Sequence, residues 1–136
     1  MNTSDYLELK LLDHLLGGPD YSRPANVWFA LFTDDPGDDD SGTEVSGGAY
    51  ARAQVANNDT NFPAASLVSG VGTKTNGTTV QFPQATAAWG TVTHFGIYDA
   101  ATSGNLLIHG ALGSARSVAS GDSPRFLANA FVLTAD

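Results

Sequence analysis

No polar residue interrupts the segment Val27-Trp-Phe-Ala-Leu-Phe32. An unbroken run of aromatic and β-favouring side chains predicts a central strand that is covered on both faces. The same two-sided character returns in Trp89-Gly-Thr-Val-Thr-His-Phe-Gly-Ile-Tyr-Asp99 and in Asn105-Leu-Leu-Ile-His-Gly-Ala-Leu112. The turn residues between Asp99 and Asn105 join these two as a hairpin. In its first strand Val92 and Tyr98 point one way, Phe95 and Ile97 the other; in its second, Leu106 and Ile108 oppose Leu107 and Ala111. A sheet with one wet face alternates apolar and polar residues. Strands apolar on both sides need two covers. In a chain of 136 residues the expectation is a sandwich core on one side and a partner subunit on the other.

A helical period appears once, over residues 4–16. Asp5, with Glu8 three residues on, offers a capping box for the exposed amides of the first turn. Leu7, Leu11 and Leu15 repeat at i, i+4 and i+8, and Leu9, Leu12 and Leu16 widen the stripe. Gly17-Gly18-Pro19 then stops the helix. This surplus of leucine admits two readings: packing across an open side of the chain's own sandwich, or an arm laid on a neighbouring subunit.

Further strands are expected at 49–55, with Tyr50, Arg52 and Gln54 on the wetter side, at 78–82, and over a long final stretch, 125–134. Residues 56–77 read as a long loop or a meandering hairpin. The sum is an all-β chain, a single antiparallel β-sandwich of jelly-roll-like type preceded by one short N-terminal α-helix. The expected division is a helical arm at 1–18 and a sandwich domain at 19–136.

Composition narrows the functions. Fifteen glycines and six prolines suit a chain cut up by turns, and the absence of cysteine removes disulfides and thiolate chemistry. No apolar run approaches the roughly 20 residues that span a bilayer, and no basic, cleavable leader is evident, so cytosolic synthesis without a membrane partner is expected. The net charge of −8 is concentrated: Asp34, Asp35, Asp38, Asp39, Asp40 and Glu44 supply six of the fourteen acids. The six bases are scattered, so direct nucleic-acid binding is not expected.

Chemistry is sparse. The acidic loop lacks the Asp-x-Asp-x-Asp-Gly register and bidentate Glu of a calcium loop, and it reads as mobile and solvated. Pairing about the Asp99–Gly104 turn sets His94 opposite His109, since the two lie equally far from its ends. Two facing imidazoles lack the third ligand that zinc requires. They read better as hydrogen-bonded interface groups, which would loosen in acid. No Gly-x-Ser-x-Gly elbow occurs, and Gly70-x-Gly72 opens no helix, so neither an enzyme nor a cofactor is expected. Trp28 and Trp89 sit in apolar strands and read as core or interface anchors rather than sugar platforms. The candidate contact residues are Leu7, Leu11, Leu12 and Leu15 on the helix, with Trp28, Trp89, His94, Phe95, Tyr98 and His109 on the strands.

Several of these segments, in order, resemble a family of short tailed-bacteriophage virion structural proteins. They are Lys10-Leu-Leu-Asp-His-Leu-Leu-Gly-Gly18, Arg23-Pro24, Asn26-Val-Trp-Phe-Ala-Leu-Phe-Thr33, Gly42-Thr-Glu-Val-Ser-Gly-Gly-Ala-Tyr-Ala-Arg52, Trp89 to Asp99, His109-Gly-Ala-Leu112 and Gly121-Asp-x-x-Arg-Phe126. Members of that family are often labelled tail fibre proteins, and similar small β-rich proteins act as head decoration or cement subunits. The resemblance implies a virion protein that assembles with itself, as a trimer, and with the major capsid protein or tail proteins. A fibre shaft needs repeats, a coiled coil or a β-helix, and this chain has none. Decoration of the capsid is therefore the first expectation and a tail fibre or tail-tip role in host attachment the second.

Overall fold

The computed structural model describes residues 2–135. Its main sheet is antiparallel and five-stranded, in the order β1 (Asn2–Thr3), β8 (Leu106–Val118), β7 (Gly90–Tyr98), β2 (Asn26–Phe32), β3 (Ala53–Ala56). The apolar run is thus a central strand, paired with β3 from Asn26 to Phe29 and with β7 from Trp28 to Phe32. A second layer is made of a three-stranded sheet, β10 (Val132–Ala135), β5 (Val71–Thr75) and β4 (Ser66–Val68), and a short pair, β6 (Val80–Gln81) with β9 (Arg125–Phe126). The chain is all-β with one short N-terminal helix, as the pattern requires.

The core between the layers is built on phenylalanine. Phe29 is fully buried and meets Phe62, Phe126 and Phe131 at centroid distances of 6.4, 5.9 and 5.6 Å. Phe95 meets Phe126 and Phe131 edge-on at 5.6 and 5.8 Å, and Phe82 meets Phe126 at 6.1 Å. Edge-to-face packing places the positive rim of one ring on the negative face of the next, which adds to the gain from area alone. Phe95 and Trp89 therefore belong to the interior. The Trp89 indole is buried, donates to the Gly48 carbonyl at 2.8 Å and lies edge-on to Tyr50.

The helix α1 (Asp5–Leu15) is capped by Ser4, whose Oγ accepts from the Leu7 amide at 3.2 Å and donates to the Leu106 carbonyl. The cap is one residue earlier than the sequence suggested. Ser4 is buried and extended, so its hydroxyl reaches both the first turn and the sheet, while Glu8 receives the Thr3 hydroxyl instead. The helix ends as expected. Gly17 takes φ +81, and the Gly18 amide donates back to Asp13 at 2.8 Å, a glycine-terminated Schellman turn.

One open expectation is narrowed and two need correction. Residues 66–75 form a real hairpin, β4–β5, turning at Ser69 and Gly70. The final stretch is not one strand: it breaks between β9 and β10 around Asn129, at φ 65. Buried Asn76 fixes that break, since its amide nitrogen donates to the Leu127 and Thr78 carbonyls and its oxygen accepts from the Phe131 amide at 2.9 Å. The β7–β8 register also differs. Gly96 is opposite His109 and His94 opposite Ala111. A slip of two residues keeps both imidazoles on one face, but as diagonal neighbours. Met1 and Asp136, the outer limits of the two expected divisions, lie outside the described residues.

Phe29→Ala removes the ring on which three others pack, and it should lower unfolding free energy by about 3–5 kcal/mol. Urea titration of the purified variant checks this; a loss below about 1 kcal/mol would mean that the cluster does not organise the core.

Candidate functional site

The outer face of the main sheet carries a second apolar cluster, Ala30, Phe32, Tyr98 and Leu106, all buried. Its cover is the chain's own acidic loop. The loop leaves β2 at Thr33 and returns at Glu44, where a bridge to Phe32 closes its base. Inside it the carboxylates are used locally. Asp34 accepts from the Thr43 amide and hydroxyl, Asp35 from the Gly37 amide at 2.9 Å, and Asp39 from the Ser41 hydroxyl at 2.7 Å. The bond from the Thr43 amide holds the Asp34 carboxyl below its ordinary value. Aspartates that bond backbone a few residues away build turns. The loop is folded onto the sheet where a mobile segment was expected, while its aspartates remain exposed to solvent as expected.

The tip of the loop reaches the strands. His109 Nε2 lies 2.7 Å from Asp38 Oδ1, and Tyr98 donates its hydroxyl to Asp40. The Asp5 amide at the start of α1 donates to the Asp38 carbonyl at 3.0 Å, so helix, loop and sheet meet at one point. Asp35 lies between the two histidines, 3.8 Å from His109 Nδ1 and 4.0 Å from His94 Nε2. Among the described residues no cluster of three or more His, Asp or Glu side chains is arranged to hold a metal ion.

The loop's other flank is fixed by Arg52. Its guanidinium forks onto Glu44, with both N–O distances 2.8 Å, donates to the Ala100 and Ser103 carbonyls, and stacks 3.5 Å above the Tyr98 ring. The Arg52 side chain is only 7% exposed. Expected on the wetter side of its strand, it is instead a cation whose side chain is buried and makes four hydrogen bonds. Glu44 also receives the Tyr50 hydroxyl at 2.7 Å.

Of the candidate contact residues, Phe95, Tyr98, Trp89 and His109 are buried within the chain, and Trp28 and His94 are half-buried. The second cover that their two-sided pattern demanded is supplied by the acidic loop, so these strands require no second copy. Leu7 is likewise buried. The helix leucines behave otherwise. Leu11, Leu12 and Leu15 are 44, 61 and 73% exposed, and Leu9 and Leu16 beside them are 66 and 78% exposed. Five leucines with nothing over them on a two-to-three-turn helix form an apolar surface of the kind that marks a contact with another macromolecule. The helix is too short to cross a membrane, and no helix among the described residues is long and apolar enough to do so.

A small β body whose polar groups hold its own loop in place, and whose largest group of exposed apolar side chains lies on one helix, has the character of an assembly component. The chain belongs to the family described as Podophage GP4 fiber I protein gp80, whose profile matches residues 2–134. It is a phage virion structural protein. No curated protein matches the chain.

The hydroxyls of Tyr50 and Tyr98 are both held well above the ordinary value of 10.0, chiefly by burial, with Glu44 and Asp40 opposing ionisation. A folded-state value above the unfolded one gives stability that is full below pH about 10 and is lost as the pH rises further. Unfolding free energy should therefore fall above pH about 10, by up to about 1.4 kcal/mol per pH unit for each phenol. The Tyr50→Phe, Tyr98→Phe double variant should show a flatter alkaline limb in urea titrations; an unchanged limb would refute this origin.

Proposed function

We propose that this protein is a non-catalytic component of the tail fibre apparatus, fixed to its neighbours in the virion by the leucine face of α1. The observation that carries the reading is the pairing of the fibre-family match over residues 2–134 with the exposure of Leu9, Leu11, Leu12, Leu15 and Leu16. The chain has no shaft of its own, since it contains neither repeats nor a coiled coil. It acts as a tip or connector, held by a small hydrophobic contact. The family description favours this reading over capsid decoration, which the sequence had put first.

Helix geometry supports the contact. Leu9, Leu12 and Leu16 follow the i, i+3, i+7 spacing of anchors that an amphipathic helix sets into a groove. Burying a leucine contributes roughly 1.5–3 kcal/mol, so a few such anchors sustain a specific attachment within an already assembled particle.

A phage carrying Leu12→Glu and Leu16→Glu should yield protein that folds normally yet is absent from purified virions, with adsorption to host cells reduced. Both residues are exposed, so the substitutions leave the core untouched. Immunolabelling of wild-type particles should mark the tail at a few copies per virion. Label spread over the head would restore decoration, and full incorporation of the variant would remove the helix from the contact.

A further inference from the structure

The seam between the two layers is open along β8. β1 pairs only with Ile108 and His109, and from Gly110 to Ser117 no strand lies on the outer edge of β8 among the described residues. The ladder with β7 also opens here. Val92 is opposite Arg116 and His94 is opposite Ala111, so five steps along β8 answer two along β7, a surplus of three residues. Against this irregular stretch lies a cavity of about 360 Å³ lined by Phe82, Phe95, Leu112 and Phe126. A second hollow of about 240 Å³ shares Phe95 and Phe126 and carries the trough on towards Val132.

Arg116 and Arg125 both line the larger cavity. They are two of only six Lys and Arg residues in a chain of net charge −8. Neither has an ion-pair partner among the described residues, whereas Arg52 is saturated by Glu44. Two free guanidinium groups beside an apolar slot select a ligand that is apolar and carries a carboxylate. The unpaired strand edge selects one that is extended and presents backbone donors and acceptors.

We propose that this trough receives an extended segment of a partner protein that adds to β8 as a further strand. The segment sinks an apolar side chain against Phe95 and Phe126 and sets a carboxylate against Arg116 and Arg125. Two copies of the chain, each of net charge −8, repel as whole bodies, so a different sequence is the better occupant. The inference is independent of the helix face, which lies on another element.

The test uses the full chain, isotopically labelled, and three capped peptides in which Thr and Val alternate around a central residue. That residue is Asp in the first and Lys in the second, and the third is the Asp peptide with alternate backbone nitrogens methylated. The Asp peptide should shift the amide resonances of residues 110–118 and bind about tenfold more tightly than the Lys peptide. Arg116→Glu with Arg125→Glu should reverse that preference, and methylation should abolish binding. Equal affinity of the Asp and Lys peptides, shifts confined to α1, or undiminished binding of the methylated peptide would overturn the proposal. Acetate alone producing the same shifts would reduce the trough to a simple anion site. Concentration-dependent protection of the same amides without peptide would assign it to a second copy. Either result would also overturn it.

Discussion

A central strand with no polar face must be covered twice, and the whole chain is arranged around that requirement. On one side of β2, Phe29 gathers Phe126 of β9, Phe131 just before β10, and Phe62 from the connection between β3 and β4. On the other, Phe32 and Tyr98 stack at 6.4 Å beneath a loop made largely of aspartate. A polar cover over an apolar cluster is stable only if its charges are satisfied while it lies there. Asp38, Asp40 and Glu44 meet that condition through His109, Tyr98 and Arg52. Close packing beneath the loop also accounts for Gly96: a Cβ there would stand 2.8 Å from Leu106 and 3.0 Å from Phe32.

Much of the architecture was legible in the pattern of residues. The unbroken run at 27–32, the hairpin after Trp89, the leucine helix and its Gly-Gly stop all appear where periodicity and turn chemistry place them. The second cover of the sheet did not, because the spacing of Asp residues says nothing about a contact with His109 some seventy positions on. Signals were nevertheless present. Asp34 with Thr43, and Asp35-Pro36-Gly37, have the form of turns that bond their own backbone, and Pro36 is among the most buried residues. The break near Asn129 depends on Asn76, a buried amide distant in sequence, and nothing within 125–134 announces it. The register of the hairpin is displaced by two residues in two steps: the turn sets Tyr98 opposite Leu106 rather than Asn105, and an extra residue on β8, Leu107, carries Ile97 on to Ile108.

The correction bears directly on function. Strands apolar on both faces argued for self-association, and that argument fails once the chain covers them itself. Among what remains uncovered, two features differ in kind from those strands: a helix face rich in leucine, and an open seam with two unpaired arginines. Both suit attachment to other chains, in keeping with a family of fibre proteins that work inside a larger particle.

Ser4 is anchored to Leu106, 102 positions away, and Asn2 pairs with His109. Residues 2–15 leave the ribosome before residues 106–118, so the resting place of this segment does not exist until β8 has been made. Until then Leu7 is bare as well, beside the five leucines that stay exposed after folding. Chaperone capture, or an early meeting with its future neighbour, would thus act on this protein before translation has finished.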